Sequence, residues 1–238
     1  RNSAANQSFT ITNNGGGPLV LTNLGLTATS GATTLTLGGG YAGANEVRNN
    51  LAGAGGTLNL TLAEGSTWIL SGSNTFGTVT IGAGAILGIG SDTALNASGA
   101  LSPGAAYSVP QIAAIGGART IASPITLGGQ NTIGFTGEHS ITYSGSASIT
   151  SNSRVFINNS IATGSLSITG PIANSTNPVN LKGPGQTILS GSLTGSGAVN
   201  YFNADASGSL TLSGNYAGNT TASVNNKGVG PIIFTSSN

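Results

Sequence analysis

Any chemistry in this 238-residue chain would have to come from very few side chains. The acids are Glu46, Glu64, Asp92, Glu138 and Asp205, the one imidazole is His139, and there is no cysteine. Cleaving a sugar polymer takes two carboxylates flanking the scissile bond, or a carboxylate beside Lys, Arg or bound calcium. The acids are widely spaced along the chain, so only Glu46 and Glu64 would approach each other, if a coil of about 20 residues stacked one over the other. Glu138 and His139 form the single acid–imidazole pair. Neighbours on a strand point to opposite faces, so a turn is needed to bring them together, and no serine elbow surrounds them. One histidine without cysteine leaves only scattered oxygen ligands for a metal. The expectation is a protein that is not an enzyme, with no catalytic residue, no cofactor and no metal site.

The elements that would position such residues follow from composition. Charged residues are 5% of the chain against a usual value of about 25%, too few to neutralise a run of phosphates, which argues against a nucleic-acid partner. Disordered chains join low hydrophobicity to high net charge, whereas this one is 37% hydrophobic with a net charge of +1. Its 40 glycines do not recur every third residue, as collagen requires. No apolar run reaches the ~20 residues of a membrane span. The chain opens at Arg1 without a charged-then-apolar leader, and is expected to be a processed mature form or a piece of something larger.

Periodicity calls for strands. Thr57-Leu58-Asn59-Leu60-Thr61-Leu62, Thr78-Val79-Thr80-Ile81 and Ser209-Leu210-Thr211-Leu212 alternate polar and apolar residues, which places Leu58, Leu60 and Leu62 on one buried face. Glycine clusters such as Gly38-Gly39-Gly40 end these runs. Ile125, Ile133, Ile141, Ile149 and Ile157 recur at a strict spacing of eight. Three such steps make one coil of a three-faced solenoid, stacking Ile125 under Ile149 and Ile133 under Ile157. Three features favour a solenoid over an antiparallel sandwich. Asp-Gly hairpin steps are absent and the one Asn-Gly, at Asn14, sits in a longer glycine run. Asn, Ser and Thr suit ladders of like residues one strand apart. Charge is scarce where stacking would set like charges side by side. The expected fold is all-β, a parallel β-helix of roughly ten to twelve coils at about 20 to 24 residues each, with residues 1–31 as an N-terminal strand segment or cap and 32–238 as the solenoid.

The stretch Trp68-Ile69-Leu70-Ser71-Gly72-Ser73-Asn74-Thr75-Phe76, followed by the strand from Thr78 to Ile81 and by Ala83-Gly84-Ala85-Ile86, resembles the autotransporter-associated β-strand repeat of bacterial surface proteins. Weaker copies lie at 185–191 and 208–216, and 116–129 reads like the connecting coils of such proteins. The resemblance implies a right-handed parallel β-helix, exported from a diderm bacterium and displayed or released at the cell surface. It makes Trp68, Leu70, Ile81, Leu189 and Leu212 the repeat-motif core, so that packing rather than sugar stacking is the expected role of Trp68. Family members are usually longer, and many end in an outer-membrane barrel. The sequence Phe234-Thr235-Ser236-Ser237-Asn238 shows no barrel, which suggests that the barrel was removed or that export takes another route.

A solenoid exposes a strand edge and an apolar core at each end unless a cap covers them. Here Phe9 and Ile11 near one terminus, and Ile232 and Phe234 near the other, are strand-like and apolar. They are the candidate inter-subunit contacts of a head-to-tail polymer, in which end-on stacking or a donated strand gives a fibre that does not close. The expected function is a non-enzymatic extracellular structural protein, a subunit of a surface filament with other copies of itself as partner. A monomeric adhesin or passenger rod contacting surface glycans or polysaccharide is the alternative, and an ice-binding or polysaccharide-active β-helix is third. Thr-x-Thr steps such as Thr78-Val79-Thr80 invite the ice-binding reading, but Asn and Ser interrupt them. Sequons begin at Asn6, Asn59, Asn96, Asn158, Asn174 and Asn219. They are candidate glycosylation sites, about as many as composition alone predicts.

Overall fold

The computed structural model describes residues 7–28, 30–104, 109–129, 131–151, 156–202, 208–214 and 224–235. Among them there is no helix, and every paired strand runs parallel to its neighbours. The chain winds through three sheets in turn. The first face has eight strands, from Gln7–Thr12 to Ile172–Ala173. The second has ten, from Val20–Leu21 to Val224–Asn226. The third has six, from Arg119–Ile121 to Ile232–Phe234. Earlier coils carry only the short pair Thr27–Ala28 and Ala52–Gly53 in a separate sheet. The fold is a parallel β-solenoid.

The regular isoleucine spacing is the walk around this triangle. Ile125 lies on the first face, Ile133 on the second and Ile141 on the third; Ile149 returns to the first and Ile157 to the second. Ile133 stacks on Ile157 as expected. Ile125 does not stack under Ile149: it pairs with Ala147, and Ile149 pairs with Leu127. The coil closes earlier on that face, because turn lengths vary from coil to coil. Trp68 reaches its partner Leu87 by a shorter coil than the one that brings Glu46 onto Val20. Ten rungs on the second face give about nine turns among the described residues, against the roughly ten to twelve expected. At the usual strand spacing nine steps make a rod of about 45 Å.

Alternation along each strand fills the interior. Leu35, Leu37, Leu58, Leu60 and Leu62 are all buried, and each apolar residue stacks on the one below it: Phe9, Leu35, Leu60, Val79 and Leu101 form one unbroken column. Gln7–Thr12 and Val20–Leu21 already pair with the second coil, so the N-terminal segment continues the same sheets.

Corners need backbones to pass closely. Gly145, Gly170 and Gly191 stack at one corner after the third face, where a Cβ on Gly170 would sit 2.0 Å from the Gly145 carbonyl oxygen and one on Gly191 1.9 Å from that of Gly170. Only glycine leaves room there. Elsewhere asparagine amides tie coils together. Asn74 accepts at Oδ1 from the Leu51 N–H (2.8 Å) and donates through Nδ2 to the Ala94 carbonyl (2.9 Å), bonding the coil before and the coil after. Buried backbone groups that the strands leave unpaired are satisfied in this way.

Candidate functional site

Among the described residues, Glu46 and Glu64, the two carboxylates expected to approach each other, are not brought together. Glu46 lies in the strand Asn45–Val47, in register with Val20 and Ile69, whereas Glu64 sits in the turn after Thr57–Leu62. The two carboxylates do not stack, because the coil at that point runs on past Glu64 and brings Ile69 into register with Glu46. Glu46 instead accepts from Arg48 Nε (2.8 Å) and from the Ser71 hydroxyl (2.6 Å). Partial burial raises its pKa, but the Ser71 hydrogen bond and the Arg48 hydrogen bond and charge outweigh this and hold the carboxyl below its ordinary value. Asp92 accepts the Thr120 N–H at 2.9 Å. Asp205 lies outside the described residues.

Glu138 and His139 do fall in a turn, between the strands Thr132–Gly137 and Ile141–Tyr143, where Gly137 takes a left-handed φ of 94°. Both line a shallow depression with Ala114, Ile115, Gly116 and Gly137. No hydroxyl and no second carboxylate lines it among the described residues. Among the described residues, too, no group of three or more His, Cys, Asp or Glu could hold a metal ion, and no helix is long and apolar enough to cross a membrane.

Trp68 is wholly inside the core, with Nε1 donating to the Gly38 carbonyl at 3.3 Å. Leu70, Ile81, Leu189 and Leu212 are buried with it. Tyr143 is a buried phenol whose hydroxyl donates to the Ser123 carbonyl (2.7 Å), and burial raises its pKa well above the usual phenol value. Of the sequon asparagines, Asn59 accepts from the Thr78 N–H, Asn96 accepts from the Phe76 N–H, and Asn158 donates to the Ser160 hydroxyl. Asn174 is fully buried and donates to the Asn177 and Gly197 carbonyls, so the folded chain offers no room for a glycan there. Asn6 and Asn219 lie outside the described residues.

Among the described residues, uncovered apolar side chains gather at the two ends. The half-buried apolar residues packed against the core are Phe9, Ile11, Leu19, Leu21, Leu24 and Leu26 in the first coil and Ile232 in the last. The large exposed apolar residues follow the same rule: Val20 at one end and Val224, Val229, Ile233 and Phe234 at the other, with Val109 the exception. At the C-terminal end Ile232 continues the column of Leu210, Phe234 that of Leu212, and Val224 that of Val199. Val224 and Val229 had no marker in the sequence, since neither stands in a clear alternating run.

One ordered array on the outside also escaped the sequence. On the first face Thr10, Thr36, Thr61, Thr80 and Ser102 stand in register on five successive strands. The steps between them are unequal, longest from Thr10 to Thr36 and shortest from Thr61 to Thr80, so no fixed period shows the column.

No protein-family model matches the chain, and no curated protein and no solved structure matches it.

Proposed function

We propose that this chain is a structural protein of the bacterial exterior, a non-enzymatic solenoid rod of the kind found in autotransporter passengers, which lengthens by stacking end to end on further copies. The observation that carries the reading is the distribution of uncovered apolar surface. Interior columns are closed along the rod and open in its first and last coils, where Phe9 and Ile11 at one end and Ile232 and Phe234 at the other continue core columns without a layer above them among the described residues. Parallel strands present one kind of edge upward and the complementary edge downward, so the top of one rod fits the bottom of another. Such a contact is heterologous and gives a filament. The terminal coils are also poor in charge: residues 7–28 contain none, and 224–235 contain only Lys227, so little desolvation opposes the joint.

Electron microscopy of the purified chain over a concentration series tests this. Filaments with an axial repeat near the length of one rod are the expected result. Isolated short rods at high concentration would overturn it, and would leave a passenger that contacts its target as a monomer as the better account.

A further inference from the structure

The threonine column on the first face is an ordered surface in its own right. Thr10, Thr36, Thr61, Thr80 and Ser102 occupy outward positions on adjacent strands, exposed or half-exposed, while their neighbours along each strand point into the core. Leu101 pairs with Ile125, which carries the register on to Thr126 and then Ser148. A second, mixed column runs beside it through Ser8, Thr34, Asn59 and Thr78. Four successive rungs therefore present the pairs Ser8 and Thr10, Thr34 and Thr36, Asn59 and Thr61, and Thr78 and Thr80. On these four rungs the residues that break the Thr pattern, Ser8 and Asn59, both fall in the second column.

The hydroxyls of this column are also used differently from others in the molecule. At the corners, Ser144, Thr150, Thr169 and Ser190 turn back to carbonyls of the coil below, namely Ile121, Leu127, Tyr143 and Ile168. Thr10, Thr36, Thr61 and Thr80 make no side-chain hydrogen bond among the described residues. Their hydroxyls face solvent, each beside a γ-methyl, at a spacing of about 4.8 Å between rungs and about 6.6 Å between the two columns. The shoulder next to the column is low, being Thr12, Gly38, Ala63 and Gly82 on the same rungs. Flat sheets are found where stacking ladders hold the strands, and the unbroken register from Thr10 to Ser102 is such a stack.

We infer that this face binds a crystalline surface of water, an ice plane, through the hydroxyls and methyls of Thr10, Thr36, Thr61 and Thr80; the Thr78 hydroxyl beside them donates to Asn59 Oδ1 (3.1 Å) and the Ser102 hydroxyl to the Pro103 carbonyl (3.5 Å). A two-dimensional array of hydroxyls in register matches a ligand that is itself a lattice. Single sugar chains are recognised with exposed aromatic rings and amide or charged forks; the outward positions of these rungs hold no aromatic and no charged side chain, and the one amide in the two columns, Asn59, has its Oδ1 occupied by the Thr78 N–H and hydroxyl. The inference is independent of end-to-end stacking, which uses the ends of the rod and leaves its sides uncovered.

The test is ice-affinity partitioning of the fluorescently labelled 238-residue chain onto a growing ice hemisphere. The labelled chain is expected to enter the ice and to shape crystals in the melt. Thr61→Tyr, which adds bulk in mid-column, and Thr61→Lys, which adds charge, are each expected to abolish uptake while keeping the parent's unfolding midpoint. Ser167→Tyr, an outward position on the third face, is expected to leave uptake unchanged. Exclusion of the parent chain from ice overturns the assignment, whatever the variants do. Uptake that persists in a folded Thr61 variant also overturns it. Adsorption to crystalline cellulose together with exclusion from ice would assign the face to a solid polysaccharide and overturn the present reading.

Discussion

Phe234 stands in register with Leu212 on the last two strands of the third face, yet Phe234 is 64% exposed and Leu212 only 1%. The column beneath them runs down through Leu189, Ile168 and Tyr143 to Ile121 without an exposed member. Phe234 is thus a core residue by position and a surface residue by circumstance. Covering a side chain of this size contributes about 1.5–3 kcal/mol. Phe234→Ser should therefore weaken end-to-end association by about one to two orders of magnitude and hardly move the unfolding midpoint of the isolated rod. Sedimentation velocity over a concentration series reads the first, and circular dichroism the second. Unchanged association would remove Phe234 from the joint.

Glycine at the stacked corner is a steric requirement. Gly170→Ala drives a methyl into the Gly145 carbonyl and should cost about 1–3 kcal/mol, as overpacking does. Gly16→Ala meets nothing within 4 Å and should change stability by less than about 0.5 kcal/mol. Urea titrations of the two variants make the comparison, and equal midpoints would contradict the corner geometry.

Trp68, the only tryptophan, reports on its own surroundings. Trp68→Ala should destabilise by about 3–5 kcal/mol. Trp68→Phe keeps most of the packing but leaves the Gly38 carbonyl without its indole donor, and should cost about 1–3 kcal/mol. In the parent chain the emission should be that of an indole shielded from water and should shift to the red in one step with loss of strand signal. Emission already at the solvent-exposed wavelength in the folded state would contradict its burial.

Tyr143 sets an alkaline limit. Burial raises its folded pKa, so the neutral phenol is favoured in the folded chain, and its contribution is complete below the unfolded value of about 10. That contribution is lost as pH climbs from there through the folded value, because the unfolded chain releases the proton first. Tyr143→Phe should therefore flatten the fall in stability above about pH 10 while lowering stability at neutral pH, where the Ser123 carbonyl loses a donor. Glu46 works in the opposite sense: its pKa is lowered, so its small contribution is present above the unfolded carboxylate value and lost as pH falls through the folded one. Denaturation midpoints followed from acid to alkaline pH trace both limbs.

The strands and their inward faces were legible in the sequence because alternation is local: Leu58, Leu60 and Leu62 announce their burial within a single short strand. The three-faced winding was legible where turns keep a constant length, as between Ile133 and Ile157. Register across coils was not, because it depends on how much chain each corner uses. That is why Ile125 meets Ala147 instead of Ile149, why Glu46 and Glu64 stay apart, and why the Thr36, Thr61 and Thr80 column is hidden behind unequal steps. The turn at Gly137 that carries Glu138 and His139 was equally invisible, since its left-handed backbone is a property of one glycine among 40.

Each paired strand of this molecule finds its partner one coil along the chain, whether that coil is short, as from Trp68 to Leu87, or long, as from Val20 to Glu46. A newly made coil therefore needs only the coil before it as a template, and the distant end of the polypeptide plays no part in its formation. Folding in such a stack proceeds by addition to an existing rung, with short loops to close at each step. A chain supplied from one end can therefore lock each coil onto the one before it, without waiting for the rest of the polypeptide.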